Sequence, residues 1–185
     1  QAVYVQLDVL EYNKRLDGQT LDFKDFVNHP EEYTSDFEKF TKVSDIYFAG
    51  HFYANNAPMI LTKEMLNASD CKLKVVADIS CDVNGPIACT IRSSTIAEPL
   101  YGYFPLEDKE VDFFHPAAVA VMAVDNLPCE IPKDASEGFG EQFMEHVIPA
   151  FFNGDKDGIL KRAKITEKGK LTERFSYLQD YVDGK

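Results

Sequence analysis

The sequence predicts an α/β fold in which a parallel sheet is followed by C-terminal helices. Three apolar runs of strand length carry that expectation: Asp45-Ile-Tyr-Phe-Ala-Gly50, Leu73-Lys-Val-Val-Ala-Asp-Ile79 and Val119-Ala-Val-Met-Ala-Val124. Their centres are almost continuously apolar, as in strands buried on both faces, and a helical segment separates the first two. From Pro132 onward the apolar residues recur every four positions instead, which is helical spacing.

The elements follow in order. Val3-Tyr-Val-Gln-Leu7 alternates like a strand, and a strand so close to Gln1 fits either neighbouring strands lying upstream or an ordinary N-terminal edge strand. Residues 11–42 are polar, charged and aromatic, and read as an insertion with short helices, pinned to the body by Phe23, Phe26, Tyr33, Phe37 and Phe40. After the first buried strand, Thr62 is placed to cap a short helix through Met65 and Leu66. Between Cys89 and Phe114, Thr90-Ile-Arg-Ser-Ser-Thr95 and Leu100-Tyr-Gly-Tyr-Phe104 fit a hairpin or an irregular excursion. The chain divides at residue 131. In the part from 132 to 185, Asp134 and Glu137 resemble a capping box, and Phe139, Phe143, Val147 and Phe151 form one stripe on a long helix ended by Asn153-Gly154. Ile159 to Ile165 and Leu171 to Val182 read as two further helices.

Composition limits the function. The 185 residues include 31 acidic and 19 basic side chains, a formal charge of −12. That balance excludes a nucleic-acid or anionic-membrane surface, both of which need clustered positive charge. No apolar run approaches the ~20 residues of a membrane span. Asp8 and Glu11 interrupt the first apolar stretch, so no signal peptide is expected. Cys71, Cys81, Cys89 and Cys129 form no C-x-x-C pair and have no histidine at ligand spacing. They read as reduced, mostly buried thiols of a cytoplasmic protein, with no metal site.

Three strand ends carry the candidate chemistry. Asp78-Ile-Ser-Cys-Asp82 closes the second buried strand, and Gly85 allows the turn that follows. In open α/β sheets ligands bind outside the carboxyl ends of the strands, so Asp82 stands where a reacting group would. The alternative is that Asp78 and Asp82 only cap the turn through backbone N–H groups. Asp125-Asn126-Leu127-Pro128 follows the third strand and fits either a cofactor contact or a plain turn. Gly50-His51-Phe52 follows the first strand, with the glycine allowing close approach to the backbone. No G-x-G-x-x-G follows any strand, and Gly138-Phe-Gly140 falls inside the expected helix.

Taken together, Val75-Val-Ala-Asp-Ile-Ser-Cys-Asp-Val-Asn-Gly85, Ser94-Thr-Ile-Ala-Glu-Pro99, Ala123-Val-Asp-Asn-Leu-Pro128 and Ala135-Ser-Glu-Gly-Phe-Gly140 resemble the C-terminal half of lysine–2-oxoglutarate reductase. That family is grouped with lysine-forming saccharopine dehydrogenase, alanine dehydrogenase and the transhydrogenase nucleotide-binding module. Asp25-Phe26 through His29-Pro-Glu-Glu-Tyr33 resembles the insertion of the reductase branch, and Lys170-Leu171 through Tyr177-Leu-Gln179 resembles its ending.

The resemblance covers nearly the whole chain. It implies an incomplete Rossmann-like nucleotide-binding domain at 1–131, and a helical segment at 132–185 that returns toward a first domain lying upstream. The glycine-rich phosphate turn and the acid–base residues would also lie upstream. It implies NAD or NADP as cofactor and a small amino-acid and 2-oxo-acid substrate, with association of copies left open. By position, Asp82 matches an aspartate near nicotinamide and substrate in alanine dehydrogenases. Val124, Asp125, Asn126 and Leu127 match a segment lining the nicotinamide, Gly50 and Phe52 match the loop beside the cofactor ribose, and Ile79 matches a backbone contact there. An alanine dehydrogenase-like enzyme and a non-catalytic nucleotide-binding or assembly module remain the alternatives.

Overall fold

In a computed structural model of the chain, residues 2–51 and 57–185 are described. The chain divides into two compact units, Gln1–Glu130 and Ile131–Lys185. The fold is α/β and Rossmann-like, with helices in the C-terminal unit.

The first unit opens with the insertion. Strand β1 (Asn13–Arg15) pairs antiparallel with β2 (Tyr33–Ser35), and α1 (Phe23–Asn28) lies between them in sequence. Asp22 caps α1 by accepting from the backbone N–H of Asp25 at 2.8 Å. Arg15 gathers this segment: its guanidinium bonds Asp17 at 2.8 Å, Glu32 at 2.6 Å and also Asp25. Helix α2 (Glu38–Thr41) then carries the insertion onto the body. Phe37 is buried and its ring lies 4.5 Å from that of Tyr47, while the Ser35 hydroxyl donates to the carbonyl of Ile60 at 2.6 Å. Phe37 and Phe40 therefore pin the insertion as expected, Tyr33 is buried within it against Phe26, and Phe23 stays exposed.

The body is a five-stranded sheet. Strand β3 (Ile46–Ala49), helix α3 (Lys63–Asn67), β4 (Val75–Asp78), the hairpin of β5 (Leu100–Phe104) and β6 (Lys109–Val111), and β7 (Val119–Met122) follow in the chain. The spatial order is β3-β4-β7-β5-β6. β3, β4 and β7 are parallel, as the apolar runs predict. β5 and β6 add an antiparallel pair, so the whole sheet is mixed rather than wholly parallel. Thr62 caps α3 by accepting from the backbone N–H of Met65.

The register shows which face is packed. Tyr47, Val76, Val121 and Tyr101 stand in one row across the sheet, with Ala49 and Asp78 one step further along. This face meets Leu61, Leu66 and Ile87 in the core. Each such aliphatic side chain contributes about 1.5–3 kcal/mol through burial. The opposite face carries Phe48, Ala77, Met122 and Leu100, and there Phe48 is 67% exposed. The first apolar run is thus an edge strand open on one face rather than a fully buried strand.

Four other expectations need correction. Residues 3–7 form no strand, and Val3, Tyr4 and Val5 are exposed: the alternation is present, but no strand among the described residues pairs with it. Helix α4 (Pro132–Gln142) starts from Ile131 with Pro132 in its first turn and no side-chain cap, so Asp134 and Glu137 form no capping box. Its continuation is a π-helical turn, Phe143–Val147, before α5 (Ile148–Phe152). Five residues wound this way break the 3.6 period, and Phe139 and Phe151 remain exposed instead of forming a packed stripe. Asn153 and Gly154 do end α5, and α6 (Ile159–Ala163) follows. Last, residues 171–182 are not one helix. A hairpin of β8 (Thr166–Glu167) and β9 (Lys170–Leu171) leads into a 3-10 segment with Phe175 outside helical geometry, then α7 (Gln179–Val182).

One close approach in the sheet gives a test. A Cβ at Gly102 would sit 2.5 Å from the carbonyl oxygen of Asp112 and 2.9 Å from Cα of Phe113, both backbone atoms. Gly102→Ala should cost about 1–3 kcal/mol through forced backbone displacement. Urea unfolding followed by circular dichroism reads this as a lower midpoint, and an unchanged midpoint would mean the strands are not that close.

Candidate functional site

The parallel strands end at one edge. Ala49 pairs with Asp78, and the backbone N–H of Ile79 donates to the carbonyl of Ala49 at 2.9 Å. Ala77 pairs with Met122, so β7 finishes beside β4. A parallel sheet sends all its carboxyl ends the same way, and this brings residues 50–51, 79–85 and 123–127 to a common rim.

The turn after β4 is built around Asp78, which is fully buried. Its Oδ1 accepts from the backbone N–H of Ser80 at 3.0 Å, the Ser80 hydroxyl at 2.6 Å and the backbone N–H of Cys81 at 3.2 Å. Its Oδ2 accepts from the Thr90 hydroxyl at 2.6 Å. Asp78 therefore takes the turn-capping role that the sequence left open. Cys81 and Asn84 both have φ of 55°, in the left-handed region. The N–H of Gly85 donates to the carbonyl of Asp82 at 2.8 Å, and a Cβ there would lie 2.6 Å from that of Asp82, so only glycine closes this turn. Asp82 is exposed at its outer side.

Asp125 and Asn126 are also exposed, at the start of a turn leading to the 3-10 segment Leu127–Glu130. Leu127 is half-buried and Val124 is buried, with Val124 bridged to Ser94. The Ser94 hydroxyl accepts from the N–H of Ala123 at 3.0 Å, which fastens this loop to the strand end. Ile79 is exposed, and at Gly50 a Cβ would meet nothing within 4 Å. Phe52 lies outside the described residues.

Electrostatics show which groups share space. Burial pushes the Cys81 thiol up to about 11, and the charges of Asp78, Asp125 and Asp82 push in the same direction. The charges of both Asp82 and Asp125 thus act on one sulfur. The His51 imidazole is held below its usual value by burial, against the opposing pull of Asp78 and Asp82. Asp82, Asp125, Cys81 and His51 thus all follow the carboxyl ends of adjoining parallel strands, with Asp78 buried at the tip of β4. Among the described residues, no group of three His, Cys, Asp or Glu side chains is arranged to hold a metal ion. No helix among them is long and apolar enough to cross a membrane.

The four cysteines are free, but only Cys89 is buried; Cys71 and Cys81 are half-buried against the edge of the core and Cys129 is exposed in the 3-10 segment. Sequence reasoning missed Ser80, Thr90 and Ser94 as anchors of the rim. Thr90 lies twelve residues from Asp78, a spacing without periodic meaning, and its stretch, expected as part of a hairpin or as an irregular excursion, is irregular.

The shared environment of Asp82 and Asp125 has a direct chemical readout. A thiol held near 11 alkylates slowly at pH 9, since only the thiolate reacts. Asp82→Asn and Asp125→Asn should each speed iodoacetamide labelling of Cys81 by about 2- to 5-fold, because each removes a charge that disfavours the thiolate. Peptide mass mapping follows Cys81 separately from Cys129. A change in only one variant would separate the two carboxylates.

No family model matches the chain. It is 30% identical over 168 residues to an alpha-aminoadipic semialdehyde synthase of Arabidopsis thaliana, covering 87% of this chain and 16% of that protein. To the mitochondrial alpha-aminoadipic semialdehyde synthase of Mus musculus it is 24% identical over 192 residues, 90% of this chain and 21% of that protein. To the NAD(+), L-lysine-forming saccharopine dehydrogenase of Schizosaccharomyces pombe it is 32% identical over 130 residues, 68% of this chain and 33% of that protein. The chain thus spans about a fifth or less of these synthases and a third of that dehydrogenase. With its strand-tip rim and Rossmann-like core, the chain is a homologue of the alpha-aminoadipic semialdehyde synthases and the lysine-forming saccharopine dehydrogenases, matching one segment of each.

Proposed function

We propose that this chain is the nucleotide-binding part of an NAD(P)-dependent oxidoreductase acting on amino-acid CH–NH bonds, of the saccharopine-forming type that joins lysine and 2-oxoglutarate. The observation that carries the reading is the rim of carboxylates at the carboxyl edge of a parallel sheet, in a homologue of saccharopine dehydrogenases. NAD or NADP fits this donor set. Gly50 leaves the backbone open to a ligand, and the acidic rim favours a cationic ring and a cationic amine centre while repelling anions.

In this reading Gly50, Phe52 and Ile79 border the ribose, and Val124, Asp125, Asn126 and Leu127 line the nicotinamide. Bound there, the cofactor supplies or accepts a hydride. The chain's own contribution is orientation and charge. Asp82 stabilises positive charge at the imine or amine carbon and directs the amine, a role that fixed charges perform best when held rigidly beforehand. The turn clamped by Asp78 and closed at Gly85 meets that requirement. The remaining wall and the acid–base groups come from other parts of the full-length protein, so this segment alone is inactive. Its four free thiols favour a reducing compartment such as the cytoplasm.

Two measurements on the full-length protein test the proposal. Turnover with lysine, 2-oxoglutarate and reduced cofactor should exceed turnover with pyruvate and ammonia, and the reverse ranking would favour an alanine dehydrogenase-like enzyme. Asp82→Ala should lower kcat by about 10²-fold or more while cofactor affinity, titrated by fluorescence, changes little. An unchanged kcat would remove Asp82 from the chemistry.

A further inference from the structure

Asp78 is fully buried, so it meets no substrate itself, yet its two carboxylate oxygens reach both sides of the loop that carries Asp82. We infer that Asp78 and Thr90 form a clamp that positions Asp82, with Ser80 as a third member; the inference rests on the reading of Asp82 given above. Oδ1 holds the start of the loop at Ser80 and Cys81, and Oδ2 holds Thr90 beyond its end. Thr90 is fully buried, and its carbonyl accepts from the N–H of Asn84 at 3.1 Å. A single hydrogen-bonded circuit therefore runs from Asp78 through Thr90 to Asn84, past the two left-handed residues, and encloses Asp82.

Thr90 is itself fixed from outside the loop. The Tyr101 hydroxyl on β5 donates to the carbonyl of Cys89 at 2.9 Å and accepts from the N–H of Ile91 at 3.2 Å, bracketing Thr90 in sequence. The Thr90 N–H donates to the carbonyl of Ile87 at 2.9 Å, and Ile87 is part of the core. The clamp thus transmits the rigidity of the packed sheet to an exposed carboxylate. Left-handed geometry is disfavoured at Cys81, whereas Asn84 is of a type that tolerates it, so the ties at both ends of the loop offset the cost at Cys81. Asp78 and Thr90 are positioning residues.

The test uses the full-length protein. Thr90→Val keeps the shape and removes the hydroxyl; Thr90→Ser keeps the hydroxyl. Thr90→Val should lower kcat by about 10-fold with the cofactor KM nearly unchanged, and Thr90→Ser should restore most of it. In an Asp82→Ala background the same Thr90→Val change should shift kcat by less than about 2-fold, because its effect passes through Asp82. Amide hydrogen exchange over residues 79–85 should speed by about 10-fold in Thr90→Val and stay near native in Thr90→Ser. Should Thr90→Val fold poorly, Ser80→Ala removes a donor to the same carboxylate at a half-buried site and should give the same pattern at smaller size. An equal loss of kcat with and without Asp82, or unchanged exchange, overturns the clamp. The two readings fail separately: unchanged turnover in Asp82→Ala alone ends the catalytic role of Asp82, while exchange still decides whether the clamp exists.

Discussion

The structure depends on satisfying one buried carboxyl group. Asp78 ends β4 with no exposure to solvent, and a polar group in that position is tolerated only when its oxygens are hydrogen-bonded. The chain supplies the donors at once, from Ser80 and Cys81, and then returns twelve residues later with Thr90. Supplying Ser80 and Cys81 forces the backbone to curl, so β4 stops there and Cys81 adopts a left-handed conformation. Supplying Thr90 brings the segment 86–94 back over the strand ends, where Ile87 and Cys89 enter the core and Ser94 fastens the end of β7. The end of the strand, the shape of the turn and the path of the following loop are therefore one solution to one problem.

How much of this was legible in the sequence follows from what each signal measures. Apolar runs report burial, and the three that lie in parallel strands were readable for that reason. The site residues were readable as far as topology goes: parallel strands share a carboxyl edge, so Asp82 and Asp125 had to arrive near one another. Thr90 was not, because a hydroxyl twelve residues from its acceptor leaves no periodic trace; Ser80, two residues from Asp78, has the spacing of an ordinary turn contact. Alternation at Val3–Leu7 measures compatibility with a strand and says nothing about a partner, and none pairs with it among the described residues. Spacing by four at Phe139, Phe143, Val147 and Phe151 marks one face only while the helix keeps 3.6 residues per turn, and the π-turn at Phe143–Val147 breaks that condition.

The two edges of the sheet differ in kind. β6 presents Lys109 and Glu110, charges of the sort that discourage further strand pairing. β3 presents Ile46 and Phe48, both exposed, on the strand whose end leads into Gly50 and His51. The C-terminal unit is similarly open, with Ala150 its buried hydrophobic residue and Phe139, Met144, Phe151 and Phe152 exposed. The packed core lies on one side of the sheet, behind Val76 and Val121, and that is the side from which Leu61 and Ile87 support the Asp78 loop. The site is thus anchored in the best-packed part of the chain even though much apolar surface elsewhere is uncovered.

Charge also says which end of a dinucleotide this rim suits. A pyrophosphate brings negative charge, and two unit charges 4 Å apart interact by about 4 kcal/mol at the dielectric typical of a protein surface. Phosphates beside Asp82 and Asp125 would meet a repulsion of this sign, reduced by solvent at these exposed side chains, and the rim offers them no glycine-rich helix start in return. A positively charged ring or iminium carbon reverses the sign, so the same two carboxylates become favourable. Burial is the main reason the Cys81 thiol is pushed up; the smaller part that comes from the charges of Asp78, Asp125 and Asp82 has the sign that would favour a cation at the exposed rim. Under the proposed function, an anionic rim at the strand tips would face the reacting end of a nicotinamide cofactor, and the phosphate end would be held elsewhere.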